Sequence, residues 1–150
     1  MRVIYWTELF RPDIGGVEVI SVPLIHALQA RGIEFIVVTS HGRVALPDVS
    51  DFQGVPVHRF SFHKALLSRD PEAIRAMNER LSALKRSFQP DLIHLNTAQP
   101  SLFFQQQTAA LAPCPTLVTI HEPLTGQERN SLFGRTLRQA DWVDAVLGAR

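Results

Sequence analysis

Short runs of apolar, β-branched residues alternate along this chain with longer stretches of helical period. Several runs are apolar at successive positions, which is typical of strands buried on both faces of a parallel sheet. The sequence predicts strands at residues 2–6, 34–40, 55–62, 91–96, 116–121 and 142–148. Strands that alternate with helices predict an α/β fold, a doubly wound parallel sheet of about six strands with helices on both faces.

Four of the intervening stretches have helical period. The clearest follows Asp70 and Pro71, a capping residue and a first-turn proline, and places a stripe of apolar residues on one face. The others are predicted at about 16–31, 100–112 and 128–139. Pro23 lies inside the first of these and predicts a kink, because proline removes one helical hydrogen bond.

The carboxyl ends of the strands should meet at one edge of the sheet, because crossover connections are right-handed. Open α/β sheets bind their ligands at that edge. The loops after Trp6, Ser40, Asn96 and His121 are therefore expected to form the functional side of the molecule.

Composition narrows the class of protein. With 150 residues and 45% hydrophobic content, the chain is long enough for one domain with a core. A net charge of +1 without a run of Lys and Arg gives no reason to expect a nucleic-acid partner. The single cysteine, Cys114, cannot form an internal disulfide and favours a reducing, cytoplasmic compartment. No signal peptide is recognisable, and no apolar run approaches the roughly 18 residues of a spanning helix.

Two adjacent glycines, Gly15 and Gly16, precede the first predicted helix in "PDIGGVE". Free N–H groups and the positive end of the helix dipole would suit an anion there, and a tight turn explains the glycines equally well. The third glycine and the acidic residue of a dinucleotide-binding fingerprint are missing, and so is the lysine of a Walker loop.

Two of the six histidines lie near strand ends. His94 alternates with apolar residues and is interpreted as partly buried structure. His121 ends its strand at the functional edge, where contact with a ligand and a structural role are both open. The spacing of the histidines predicts no metal site.

The segment at 58–69, "HRFSFHKALLSR", alternates basic and apolar residues. The favoured interpretation is a strand followed by a solvated loop. The alternative is an amphipathic surface element that contacts anionic lipid.

Four segments together resemble the N-terminal, acceptor-side domain of glycosyltransferase family 4. They are "FRPDIGGVEVISVPLIHALQARGIEFIVVTS", "QPDLIHLNTAQPSLFF", "TLVTIHEP" and "LRQADWVDAVLG", and they occur in the family's order over nearly the whole chain. The resemblance implies a GT-B enzyme, with two Rossmann-like domains, that transfers a sugar from a nucleotide-sugar donor with retention of configuration. Residues 1–150 would then be the truncated N-terminal domain, inactive alone because the second domain holds most of the donor site.

The resemblance also implies the site residues and partners. Gly15 and Gly16 would bind the donor diphosphate, His121 would act near the reacting carbon, and Glu18, Asn96 and Gln99 would contact the acceptor. No metal or other cofactor is expected. The acceptor would be a glycan, a lipid-linked sugar or a small molecule. The cytoplasmic compartment is the expectation from the single cysteine, and peripheral contact at the inner membrane face belongs to the lipid-binding alternative for 58–69. The alternative is a stand-alone module of the same fold that binds a sugar or nucleotide without catalysis. A receiver-like signalling domain is disfavoured, because no lysine follows His121.

Overall fold

The computed structural model describes residues 1–96, 100–121 and 132–145, and in these ranges seven strands form one sheet. The strands are β1 (Arg2–Trp6), β2 (Glu34–Ser40), β3 (Val49–Phe52), β4 (Val55–Phe60), β5 (Leu92–Leu95), β6 (Thr116–Ile120) and β7 (Trp142–Ala145). Their order across the sheet is β3-β4-β2-β1-β5-β6-β7. β3 pairs with β4 in antiparallel fashion, whereas the other pairs are parallel. The predicted doubly wound, Rossmann-like α/β fold is confirmed.

The edge strand β3 is the one strand that the sequence did not predict. This strand, "VSDF", is short, has polar residues in the middle and is at most partly buried. It therefore lacks the apolar run that is typical of the other strands. The turn that joins β3 to β4 consists of Gln53 and Gly54, both with positive φ (53° and 84°). Two positive φ values are the geometry of a tight hairpin turn, which Asn-Gly would have signalled more clearly than Gln-Gly.

Five helices lie in the described ranges. They are α1 (Gly16–Gln29), α2 (Phe62–Ser68), α3 (Pro71–Phe88), α4 (Ser101–Ala109) and α5 (Leu132–Gln139). Asp70 caps α3 as predicted, with Oδ1 accepting from the backbone N–H of Glu72 at 3.0 Å. α1 continues through Pro23 as one element. The part of the last predicted helix before Leu132 lies outside the described residues.

In the strand-and-loop interpretation of 58–69 the strand is confirmed as far as Phe60, where β4 ends. The loop is wrong, because the helix α2 begins at Phe62. Phe62 is fully buried and stacks on Phe60, with ring centroids 4.9 Å apart, and on Trp6 at 5.5 Å. This aromatic anchor holds a short helix against the sheet and leaves His63 and Lys64 exposed. None of the helices in the described ranges combines the length and the apolar character that crossing a membrane requires.

The two faces of the sheet carry separate cores. On one face, Ile4 and Trp6 of β1 pack with α3 and α4, and on the other, Val3 and Tyr5 pack with α1. Successive residues of β1 therefore serve opposite faces, as the pleat of a strand requires. This alternation places the Tyr5 side chain beneath α1, whose first turn contains the glycines.

Candidate functional site

The carboxyl ends of the central strands meet at one edge, as the sequence predicted. Thr7 follows β1 and donates its backbone N–H to the carbonyl of Val38 at 3.0 Å, and Asn96 follows β5 and donates to the carbonyl of Trp6 at 2.8 Å. His121 follows β6 at the same edge and is half-buried. The third predicted acceptor residue, Gln99, lies outside the described residues.

The glycine pair begins α1, where Gly15 is the N-cap and Gly16 is the first helical residue. Gly15 is extended (φ −150°), and neither glycine has the positive φ that would require glycine. A Cβ at Gly16 would meet nothing within 4 Å, whereas one at Gly15 would lie 2.4 Å from Oε2 of Glu18. The backbone conformation therefore does not explain Gly16, which faces open space at the helix entrance.

Glu18, the predicted acceptor residue in the first turn of α1, is only 8% exposed. Its carboxylate folds back over Gly15 and occupies the space that a side chain there would need. A negative charge in the first turn of a helix is stabilised by the helix dipole and the free N–H groups. The Glu18 carboxylate therefore lies at the end of the helix where the dipole favours a negative charge.

His121 and Asn96 are in direct contact. Nε2 of His121 lies 2.9 Å from Oδ1 of Asn96, and Nδ2 of Asn96 donates to the hydroxyl of Tyr5. Asn96 is 5% exposed, so both ends of its amide are engaged inside the protein. The structure thus brings the predicted catalytic histidine together with one predicted acceptor residue.

The contacts continue from Tyr5 into α1. The hydroxyls of Tyr5 and Ser21 lie 2.7 Å apart, and the Ser21 hydroxyl donates to the carbonyl of Val17 at 2.7 Å. Val17 directly follows the glycine pair. We call the series His121, Asn96, Tyr5, Ser21 and the Val17 carbonyl the hydrogen-bond chain, and it connects the end of β6 to the first turn of α1.

Tyr5 is the only tyrosine in residues 1–150 and is 1% exposed. Burial raises its pKa to about 12, against the smaller lowering effect of its hydrogen bonds with Ser21 and Asn96. The nearby charge of Glu18 raises the pKa further. Tyr5 therefore keeps its proton at neutral pH and can donate a hydrogen bond.

His94 is partly buried, as predicted. Its Nε2 lies 2.8 Å from Oγ1 of Thr119, and its ring meets that of Tyr5 edge-on with centroids 5.1 Å apart. Burial lowers the pKa of His94 to about 4. These contacts favour a neutral, structural histidine beside the hydrogen-bond chain.

A groove of about 420 Å³ runs along this face of the sheet beside α1. Apolar side chains such as Val3, Leu24 and Leu92 line one part of it, and His94 and His121 lie among its polar residues. His121 therefore borders an open space and is also the first member of the hydrogen-bond chain.

One pair at this edge was missed by the sequence analysis. Glu8 follows β1, and its carboxylate is hydrogen-bonded to Nε2 of His63 on α2. Burial raises the pKa of Glu8, and the contact with His63 partly offsets this effect. The sequence pattern predicts a loop where α2 forms, so it does not predict that His63 lies at the end of β1.

The described residues contain no group of three or more His, Cys, Asp or Glu side chains placed to hold one metal ion. The carboxyl edge instead offers backbone N–H groups at a helix start, an imidazole and buried polar side chains. This donor set suits hydrogen bonding to an organic or phosphate ligand.

Comparisons with solved structures identify the fold. Sucrose-phosphate synthase from Thermosynechococcus elongatus matches 95% of this chain with a TM-score of 0.68 and 17% identity, over 42% of its own length. UDP-GlcNAc 2-epimerase from Methanocaldococcus jannaschii matches 98% with a TM-score of 0.60 and 13% identity, over 40% of its length. An alpha-glucosyltransferase in complex with UDP and DNA matches 97% with a TM-score of 0.56 and 14% identity, over 37% of its length. The chain thus spans less than half of each of these proteins.

No curated protein matches the sequence significantly. The profile of the glycosyl transferase 4-like domain matches residues 15–149. This range includes the glycine pair and every member of the hydrogen-bond chain except Tyr5. This match covers most of the protein and agrees with the fold of the similar structures. The chain therefore belongs to the glycosyl transferase 4-like domain family.

Proposed function

We propose that this chain is the acceptor-side domain of a retaining glycosyltransferase that transfers a sugar from a nucleotide-sugar donor to a hydroxyl acceptor. In the proposed enzyme a second Rossmann-like domain faces the carboxyl edge and supplies most of the nucleotide site. The observation that carries the proposal is the placement of His121 and the start of α1 at the same sheet edge, joined by the hydrogen-bond chain.

The proposed role of the glycine pair is to let the donor diphosphate approach the backbone. The leaving group of glycosyl transfer is a nucleoside diphosphate, so negative charge grows on its oxygen as the sugar departs. Fixed N–H donors stabilise such a developing charge. Gly16 supports this role, because the space around its Cα is open.

The proposed role of His121 is contact with the donor sugar near its reacting carbon. The half-buried imidazole borders the groove and is fixed from behind by Asn96. An oriented side chain of this kind can bind the transition state without first paying for its own ordering. Glu18, Asn96 and Gln99 stay predictions as acceptor residues, and no metal is assigned to the reaction.

The names of two similar structures guide the choice of donor for the first assay. One is an epimerase of UDP-GlcNAc, and another is a glucosyltransferase with UDP bound. UDP-sugars are therefore the first donors to test with the complete protein.

The assay measures release of nucleoside diphosphate from a panel of nucleotide sugars, with and without hydroxyl acceptors, followed by NMR of the product's anomeric centre. We expect acceptor-dependent release and a product that keeps the donor's anomeric configuration. Inversion of configuration would refute the retaining mechanism. Tight binding of a nucleotide sugar without transfer to any acceptor would instead support a binding module.

A further inference from the structure

The direction of every hydrogen bond in the chain from His121 to α1 follows from its last member. Ser21 has a single hydroxyl proton, and this proton is donated to the carbonyl of Val17 at 2.7 Å. A carbonyl can only accept. The Ser21 oxygen must therefore accept the proton of Tyr5 across 2.7 Å, because it has no second proton to give.

The orientation of the Asn96 amide follows in turn. Since the proton of Tyr5 is used on Ser21, the Tyr5 oxygen can only accept from Asn96, and it accepts from Nδ2. A flipped amide would place Oδ1 against an oxygen that has no proton to offer. The network thus settles an assignment that the positions of the heavy atoms alone would leave open.

Asn96 consequently turns Oδ1 toward His121, and the 2.9 Å contact requires a proton on Nε2 of the imidazole. In a neutral imidazole the other nitrogen, Nδ1, then has the lone pair. Burial supports the fixed arrangement, because Asn96 is 5% exposed, Tyr5 is 1% exposed and Ser21 is fully buried. Breaking any of these bonds would leave a buried polar group without a partner.

We propose that Asn96, Tyr5 and Ser21 are positioning residues that hold His121 in its Nε2–H tautomer, so that Nδ1 accepts a hydrogen bond from the substrate. The catalytic part of this inference rests on the proposed role of His121. The tautomer depends only on the hydrogen-bond chain. The second tautomer would place an N–H donor at Nδ1, which could no longer accept the proton of a substrate hydroxyl.

The first test reads the tautomer directly, by long-range ¹H–¹⁵N NMR of histidine-labelled protein at a pH where the ring is neutral. The His121 signals are assigned by comparison with His121→Gln. We expect Nε2–H in the wild type. In Ser21→Ala the Tyr5 hydroxyl loses its acceptor and can donate to Asn96 instead. The Asn96 amide can then flip, so that Oδ1 accepts from Tyr5 and Nδ2 donates to Nε2 of His121. The Nδ1–H form of His121 should therefore increase.

The matched control is Ser82→Ala. Ser82 is also a buried serine on a helix, at 1% exposure, and it lies on α3 in the opposite core layer. The Ser82→Ala substitution should leave the tautomer of His121 unchanged. If Ser21→Ala does not fold, Tyr5→Phe is the substitute, and a mixture of both tautomers is expected. A wild-type Nδ1–H form, or a tautomer that ignores both Ser21→Ala and Tyr5→Phe, would overturn the proposal.

The second test compares two variants of His121 in the complete enzyme. The Oδ1 atom of an asparagine reaches the place of Nδ1, whereas the end of a glutamine side chain reaches the place of Nε2. We expect His121→Asn to retain a kcat about fivefold to tenfold above that of His121→Gln, the factor that one neutral hydrogen bond is worth. The reverse order would contradict an accepting Nδ1. Equal, wild-type activity in both variants would refute the proposed role of His121 and leave the NMR result standing.

Discussion

His121 donates from Nε2 to Oδ1 of Asn96 over 2.9 Å, although the two residues are 25 positions apart in the sequence. Each residue follows one of two adjacent parallel strands, β6 and β5, which are joined through α4. Because parallel strands end at a common edge, the two polar side chains meet there without any direct link in the sequence. The contact is therefore a consequence of the sheet topology, and it orients the imidazole toward the groove.

Replacement of His121 by alanine should lower kcat of the complete enzyme about 100-fold with little change in melting temperature. The side chain is half-buried and has one hydrogen bond to lose within the described part of the chain, whereas loss of a contact to the transition state costs roughly 10²-fold or more. The measurement is kcat beside a thermal melt of the same sample. His94→Ala is the matched control, and it should mainly lower stability because His94 packs against Tyr5 and bonds Thr119. A large drop in melting temperature of His121→Ala with near-normal activity would assign His121 a structural role.

The sequence was sufficient for the parts of the fold that depend on local pattern. The buried strands, the capped helix α3 and the meeting of Asn96 and His121 at one edge all follow from hydrophobic period, capping chemistry and crossover handedness. What the pattern could not predict depends on tertiary contacts. α2 exists because Phe62 stacks between other aromatic rings, and the Asn96–Tyr5–Ser21 contacts depend on which face of β1 lies beneath α1.

Gly16→Ala tests whether the glycine pair is present for a ligand. A methyl group there meets nothing within 4 Å, so we expect the fold to be kept and the free energy of unfolding to change by no more than about 1 kcal/mol, with a gain favoured by the lower entropy of the unfolded chain. The KM for the nucleotide sugar should nevertheless rise, because the methyl group would occupy the approach of a phosphate oxygen to the N–H groups. The measurements are donor KM and thermal stability.

Gly15→Ala provides the contrast for that experiment. Its methyl group would lie 2.4 Å from Oε2 of Glu18, so the Glu18 side chain must move before the helix start can form as it does now. We expect this variant to lose stability as well as donor affinity. An unchanged donor KM in folded Gly16→Ala would mean that the pair serves only the start of α1.

The stability of the protein should fall at alkaline pH because of Tyr5. Burial raises its folded-state pKa from the ordinary value of 10.0 to about 12. The contribution of protonated Tyr5 to the free energy of unfolding is therefore complete below pH 10 and is lost as the pH rises toward 12. A pKa difference of about two between the folded and unfolded states corresponds to a loss of roughly 2–3 kcal/mol in the free energy of unfolding. In a protein of residues 1–150, which contain no other tyrosine, Tyr5 can be titrated by its phenolate absorbance. Tyr5→Phe should lack this part of the alkaline loss in denaturant unfolding. An absorbance change centred near pH 10 in the folded protein would contradict the prediction.

A second buried ionisable group with a shifted pKa, Lys85, lies on α3 in the opposite core layer. It is 1% exposed, and its ammonium group donates to Oε1 of Gln105 and to Oγ1 of Thr108, both at 2.6 Å. It also lies 5.7 Å from the centre of the Trp6 ring. Burial lowers its pKa to about 7, against a smaller raising effect of Cys114. Lys85 therefore links α3 to α4 at the cost of removing a cation from water.

Lys85 should make the protein more stable as the pH rises from about 7 to 10.5. In this interval the unfolded chain still binds the proton while the folded lysine has released it, so each pH unit adds up to about 1.4 kcal/mol to the free energy of unfolding. Lys85→Met should remove this slope. It also takes the donor away from Oε1 of the buried Gln105, which costs about 1–3 kcal/mol. The chain has only one other lysine, the exposed Lys64, so Lys64→Met is the control that should keep the slope. Denaturant unfolding of the three proteins at several pH values gives the comparison, and a slope that persists in Lys85→Met would show that Lys85 stays protonated in the folded core.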